Sequence, residues 1–239
     1  MRKLIELLIV GALLSVGQMV SAGPFEDGLA AAERDDYATA LKLWRPLADA
    51  GDAKAQFNLG VAYGTGKGIT RDDKEAAKWY RLSAEQGTVQ AQNNLGRMYA
   101  EGLGVARDPK EAVKWWRLAA DRGNASAQRN LGLMYSAGTG VARDYEEAVK
   151  WYRRAIERGD AVARNNLGLA YETGQGVEQD RLRAEMWFIL AAATLRGDEA
   201  TAAAGNRDRL ASTMTPAAVK RAQEMARRCQ QSAFRDCGW

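Results

Sequence analysis

Residues 91–123 read AQNNLGRMYAEGLGVARDPKEAVKWWRLAADRG, and residues 127–159 repeat this pattern with few changes. The Leu-Gly pair near its start recurs every 36 residues, at Leu59-Gly60, Leu95-Gly96, Leu131-Gly132 and Leu167-Gly168. A Tyr follows four residues after each of these leucines and a Trp twenty residues after it. A period of this length is typical of stacked repeat proteins. We therefore divide residues 52–197 into four repeats: 52–87, 88–123, 124–159 and 160–197.

Each repeat is predicted to form two helices. In the first half the apolar residues fall on one helical face, at Ala91, Leu95, Met98 and Tyr99. The second half does the same with Ala112, Trp115, Trp116, Ala119 and Ala120. Asp108-Pro109-Lys110-Glu111 predicts the start of the second helix, and Gly123 predicts its end. The fold class is therefore all-α, an α/α superhelical solenoid.

The glycine of the Leu-Gly pair needs an explanation, because Gly inside a helix costs about 1 kcal/mol relative to Ala. We expect Gly96 and its equivalents to make room for a large neighbour such as the periodic tryptophan. That tryptophan shares its helix face with alanines, which favours a core position over a stacking platform. The four residues concerned are Trp79, Trp115, Trp151 and Trp187.

The quoted stretch resembles the Sel-like repeat family, whose members are related to tetratricopeptide repeats and have a longer loop between the helices. The resemblance covers about residues 52–197 and is carried by Ala-Gln-x-Asn-Leu-Gly-x-Met-Tyr, the Gly-x-Gly-Val loop and the Ala-x-x-Trp helix. The last repeat departs from the pattern, with Arg164 in place of Gln and an altered cap at Glu178-Gln179-Asp180. Such proteins are mostly scaffolds or adaptors, and the exported bacterial ones are linked to the cell envelope.

The two ends of the chain are predicted to differ from the repeats. Residues 1–22 have the basic start, short apolar run and small residues of a signal peptide, so we place cleavage after Ala22. An uncleaved membrane anchor is the alternative. Residues 23–51 are predicted to be a degenerate half-repeat that caps the N-terminal end, with 25–33 as a possible partner helix. Residues 198–239 are predicted to form C-terminal capping helices and a tail.

Composition narrows the functional classes. The chain has no histidine, and its formal net charge of +4 gives little support for nucleic-acid binding. The only cysteines, Cys229 and Cys237, are predicted to form a disulfide that ties down the tail, and a redox or metal pair is the less favoured alternative. We expect a periplasmic or secreted monomer with no cofactor and no metal site.

A solenoid leaves a curved groove that commonly holds a peptide or a partner domain. The predicted partner-binding residues lie on the first helices: Gln90, Asn93, Asn94, Arg97, Arg129, Asn130, Asn165 and Glu172. The recurring asparagines have an alternative role, an internal ladder that satisfies the backbone of a neighbouring helix. These are Asn58, Asn94, Asn130 and Asn166. For the remaining candidates the alternative is a solvated surface.

The favoured function is a non-catalytic protein–protein interaction scaffold of the cell envelope or secreted space. The rival is a hydrolase or binder acting on cell-wall-type ligands, because cysteine-rich members of the resembled family have been credited with such activity. This chain lacks their paired cysteines, has no histidine and has no Gly-x-Ser-x-Gly motif. We therefore expect no enzyme activity.

Overall fold

The computed structural model describes residues 23–234 and 237–238, in which the chain forms twelve α-helices and no strand. The all-α solenoid is thus confirmed, while the signal-peptide prediction for residues 1–22 lies outside the described residues. The first helices of the successive pairs are α1 (Pro24–Glu33), α3 (Ala53–Thr65), α5 (Val89–Glu101), α7 (Ala125–Ala137) and α9 (Ala161–Thr173). The second helices are α2 (Tyr37–Asp49), α4 (Asp73–Glu85), α6 (Pro109–Asp121), α8 (Tyr145–Glu157) and α10 (Arg181–Ala192). Two further helices follow, α11 (Gly197–Ala211) and α12 (Pro216–Gln231).

Each helix packs mainly on its neighbours in sequence, as expected for a stack of hairpins. The second helices begin at aspartate caps, and in α6 the Asp108 carboxylate accepts hydrogen bonds from the backbone N–H groups of Lys110 and Glu111 at 3.0 and 3.1 Å. Asp180 caps α10 in the same way in spite of its altered surroundings. None of the described helices is both long and apolar enough to cross a membrane.

The glycine of the Leu-Gly pair lies against an aromatic ring, but the ring is not that of the periodic tryptophan. A Cβ added at Gly132 would lie 2.4 Å from Cε1 of Tyr152, and one added at Gly96 would lie 2.7 Å from Cδ1 of Trp116. The predicted partner was therefore wrong by one position. The residue after the periodic tryptophan faces its own repeat's first helix, because adjacent residues on a helix differ in direction by about 100°.

The periodic tryptophan instead packs between successive repeats. The Arg117 guanidinium of α6 lies 5.4 Å from the Trp151 ring of α8 and donates to the hydroxyl of Tyr135 in α7. Trp79, Trp151 and Trp187 are buried as predicted. Trp115 is half-buried and packs against the core cluster that contains Trp116 and Trp151, so it too contributes to the core.

The loop between the two helices of a repeat packs on the preceding repeat. Gly104 adopts a φ of +67°, and a Cβ there would lie 1.9 Å from the backbone oxygen of Asp73, the first residue of α4. A side chain is excluded both by the backbone conformation and by this close approach. The second glycine of the Gly-x-Gly loop therefore sets the distance between neighbouring repeats.

Both ends of the stack are closed. At the N-terminal end α1 and α2 pack together, with Gly28 against the Trp44 ring, and exposed Asp27 takes the place of the buried leucine of the later repeats. At the C-terminal end α11 and α12 both pack on α10. The tail folds back over α9 and α10, where Phe234 lies 4.1 Å from the Arg164 guanidinium, and Cys229 and Cys237 lie at disulfide-bonding distance.

Candidate partner-binding groove

An open cavity of ≈ 160 Å³ lies between the first helices α7 and α9, above the second helix α8. We call it the α7–α9 groove. Its lining is Leu133, Ser136, Tyr145, Ala148, Val149, Tyr152, Asn166, Leu169, Ala170 and Gln175. The walls come from two successive repeats and the floor from the helix that joins them.

The helical repeat explains why these side chains meet. Leu133 and Ser136 are three residues apart on α7, as Asn166 and Leu169 are on α9, so each pair shares a helix face. This face points away from the row of buried residues on the helix, to which the fully buried Leu131 belongs. Leu133 is consequently 42% exposed, although it is a large apolar residue.

The floor of the groove contains a neutral tyrosine hydroxyl. The Tyr152 hydroxyl donates to Oγ of Ser136 at 3.3 Å. Burial raises the pKa of Tyr152, and the hydrogen bond to Ser136 opposes this only in part. The groove therefore offers apolar walls with a few uncharged polar groups, a composition typical of sites that hold an apolar anchor.

Within residues 23–234 and 237–238, the recurring asparagines make no side-chain hydrogen bonds to the backbone of a neighbouring helix, which the internal ladder would require. Asn94 makes a side-chain hydrogen bond with Tyr80, the residue that follows the periodic tryptophan of the preceding repeat. This contact requires a hydroxyl group at that position. The equivalent neighbour of Asn58 is Trp44, which has no hydroxyl group. The equivalent neighbour of Asn166 is Tyr152, whose hydroxyl donates to Ser136 instead. As a result, the amide nitrogens of Asn58 and Asn166 are buried without a hydrogen-bond partner among the described residues.

The predicted binding residues of α5 and α7 lie on the same side of the stack as the groove but outside its lining. Gln90 is exposed, and exposed Arg97 forms an ion pair with Glu101 at 3.3 Å. Half-buried Arg129 lies 3.7 Å from the Asp160 carboxylate at the start of α9. Asn93, Asn94 and Asn130 are half-buried as well.

The two predicted residues of α9 are engaged by α11. The Asn165 carbonyl oxygen accepts a hydrogen bond from Asn206 at 3.0 Å. Glu172 forms a two-pronged ion pair with Arg209, at 2.6 and 2.8 Å, which lowers the pKa of the glutamate. A partner could reach these two side chains only by displacing the contacts that close the stack.

Sequence reasoning missed the apolar lining of the groove. Leu133 and Leu169 each come two residues after the buried leucine, where earlier repeats carry Val61 and Arg97. This position points away from the buried face of the helix. A leucine there was therefore the available sequence signal for an exposed apolar surface. Among the described residues, no group of three or more His, Cys, Asp or Glu side chains is placed to hold a metal ion.

Comparison with known proteins agrees with this architecture. The model of the family described as Sel1 repeat matches the chain at residues 22–52, 53–88, 89–124, 125–160 and 161–193. It thus includes α1 and α2 as a repeat, where the sequence had indicated a degenerate half-repeat. No curated protein sequence matches the chain.

Two solved structures are similar. One is a Sel1 repeat protein from Oxalobacter formigenes, with a TM-score of 0.69 and 30% sequence identity, covering 79% of this chain and 83% of that one. The other is a protective antigen of uropathogenic Escherichia coli that displays an SLR fold, with a TM-score of 0.56 and 28% identity, covering 87% of this chain and 54% of that one. The chain belongs to the Sel1 repeat family, whose membership suggests a protein–protein interaction scaffold.

Proposed function

We propose that this protein is a non-catalytic interaction scaffold of the periplasm or the secreted space, and that the α7–α9 groove binds a segment of a protein partner. One observation carries the proposal: Leu133 remains 42% exposed on the wall of an open cavity whose other wall carries Leu169. Exposed apolar walls around a cavity are a common feature of binding sites.

The size of the groove indicates what it holds. A volume of ≈ 160 Å³ is below the range of small-molecule pockets, which is about 300–1,000 Å³. It suits one apolar side chain of a protein segment, the kind of anchor that carries much of the energy of an interface. The Asn166 amide lines the same cavity, and its nitrogen, which has no hydrogen-bond partner among the described residues, would donate to a backbone carbonyl of that segment.

The absence of histidine supports a role without catalysis, because the commonest general base near neutral pH is missing from the sequence. Two carboxylates at the ends of α9, a helix that lines the groove, have structural partners: Asp160 caps the helix and Glu172 pairs with Arg209. The pairing of Cys229 with Cys237 supports an oxidising compartment.

Photo-crosslinking tests this function. A photoreactive phenylalanine analogue at position 133 is expected to capture one main protein in cells, and the same analogue at exposed Glu199 of α11, which belongs to neither apolar surface described for this chain, serves as the control. With the purified partner, Leu169→Lys should weaken binding by about 10- to 100-fold, since burial of a leucine contributes about 1.5–3 kcal/mol. Equal capture at both positions, or an unchanged affinity for the Leu169→Lys variant, would contradict the proposal.

A further inference from the structure

A second apolar surface lies on the opposite side of the hairpins, on the second helices α4 and α6. Leu82 is 37% exposed and Leu118 is 49% exposed, and they occupy equivalent positions one repeat apart. The half-buried Trp115 lies three residues before Leu118 and therefore on the same side of α6. We call these three residues the outer leucine patch.

In the last repeat, another helix covers the equivalent face of the second helix. Leu190 of α10 is the equivalent of Leu82 and Leu118, yet it is only 3% exposed because it packs in a cluster with Ala226 and Cys229 of α12. Met186, one turn earlier, is 1% exposed, and it lines a small cavity with Met225 of α12. An amphipathic helix thus covers, in α10, the positions that α4 and α6 leave open.

The charges around the patch differ from those on α10. Lys78 of α4 and Lys114 of α6 occupy the repeat position that is equivalent to Met186 of α10, and both lysines are exposed. Each lysine pairs with a glutamate of its own helix, Lys78 with Glu75 at 3.5 Å and Lys114 with Glu111. Such exposed pairs contribute little and can exchange partners readily. Lys74 and Lys110, one turn earlier, are also exposed. A helix lying over the patch would therefore meet four lysines at one end, whereas exposed Glu85 and Asp121, three residues after the two leucines, lie at the other end.

We propose that the outer leucine patch docks an amphipathic, acidic helix of a protein partner, in the manner in which α12 packs on α10. The partner's apolar stripe covers Leu82, Trp115 and Leu118, and its carboxylates lie over the lysines. This inference is independent of the α7–α9 groove, which is on the other side of the stack.

The described helices of a second copy of this chain are not suited to cover the outer leucine patch. The acidic helix α1 already packs most of its apolar side chains on α2, where Ala31 and Ala40 are fully buried, and Leu29 is the one large apolar residue that this described helix leaves exposed. Helix α12 is basic and its apolar face is occupied by α10, so the lysines around the patch would repel it.

A synthetic peptide tests the proposal against the full chain. The probe has the sequence of residues 216–231 with Cys229 replaced by Ser and its four basic residues replaced by Glu, namely Lys220, Arg221, Arg227 and Arg228. We expect it to bind and to change the fluorescence of Trp115. Binding should weaken at least about tenfold for Leu118→Ser, since about 1.4 kcal/mol corresponds to a factor of ten. The same peptide with its four basic residues kept should also bind at least about tenfold more weakly.

Matched variants separate this inference from the proposed function. Leu133→Ser in the groove should bind the acidic peptide like the wild type, and Arg154→Leu, which extends the patch onto α8, should bind it more tightly. The altered side chains are exposed, so circular dichroism should show unchanged folds.

Four results would overturn the inference. The first is no binding of the acidic peptide, and the second is equal binding to a Leu82→Ser/Leu118→Ser double variant. The third is patch-dependent binding to phosphatidylglycerol vesicles in place of the peptide, which would make the surface a membrane contact. The fourth is a dimer that Leu118→Ser converts to a monomer, which would make a second copy the occupant.

Discussion

Replacing Gly132 by Ala should destabilise the protein, although the same change in the middle of a helix normally stabilises it. An alanine Cβ at this position would lie 2.4 and 2.5 Å from two ring carbons of Tyr152. Ordinary contacts between carbon atoms are about 3.5–4.0 Å, so the ring or the helix must move by about 1 Å. The tyrosine is buried and cannot leave without exposing the core.

The magnitude follows from two opposing contributions. Helix propensity favours Ala over Gly by about 1 kcal/mol, whereas forcing extra volume into a packed core costs about 1–3 kcal/mol and occasionally more. Because the overlap is with ring carbons of a buried aromatic side chain, we expect the cost to exceed the gain. Gly132→Ala should therefore lower the free energy of unfolding by up to about 2 kcal/mol.

Gly205 provides the matched control. It lies in the middle of α11, and a Cβ added there would meet nothing within 4 Å. Gly205→Ala should raise the free energy of unfolding by about 0.5–1 kcal/mol. Urea unfolding followed by far-ultraviolet circular dichroism measures both variants, with midpoints compared because repeat arrays need not unfold in two states.

A double-mutant cycle identifies the ring as the cause. In a Tyr152→Ala background the obstacle is absent, so Gly132→Ala should become neutral or stabilising. If Gly132→Ala is as stable as the wild type, or if its effect is the same with and without the tyrosine ring, the close packing of glycine on the aromatic ring is refuted.

Three further predictions concern other contacts. Burial raises the pKa of Glu185 to about 7; the charge of Arg207 lowers it by a smaller amount and that of Asp208 adds to the rise. The folded state therefore favours the protonated acid, whose contribution to stability is complete below about pH 4.5 and should be lost as the pH rises through about 7. Glu185→Gln should remove that part of the pH dependence in urea unfolding. Arg117→Met should lower the free energy of unfolding by about 1–2 kcal/mol, because the guanidinium contacts both Tyr135 and a buried tryptophan; an unchanged urea midpoint would show that this contact is not stabilising. Reduction of the disulfide should destabilise the tail by about 2–3 kcal/mol, with faster hydrogen exchange in α12 and unchanged exchange in α5.

The repeat architecture could be predicted from the sequence because its signals are local and recur. The Leu-Gly period gave the number of residues in each hairpin, and Asp108 with Pro109 gave the start of a second helix correctly. Periodicity alone could not say which of two adjacent aromatic residues lies on the glycine. Trp115 and Trp116 differ only in direction around the helix, and that choice is settled by packing between helices.

The candidate site was harder to predict than the fold. Arg97 and Arg129 are polar and differ between repeats, which favours them as binding residues, yet the apolar residues Leu133 and Leu169 line the cavity. The engagement of Glu172 by Arg209 could not be foreseen either, because the two residues are 37 positions apart and meet only through the docking of α11.

Deletion of one whole repeat tests the central claim that helical hairpins of one size stack in a uniform register. Removal of residues 125–160 joins Asn124 to Ala161 and replaces one helix-capping residue by another at the same position of the repeat. Circular dichroism during urea unfolding should show the same helix signal per residue as the full chain, with a cooperative transition at a lower urea concentration. Loss of the helix signal, or of a cooperative transition, would contradict the account.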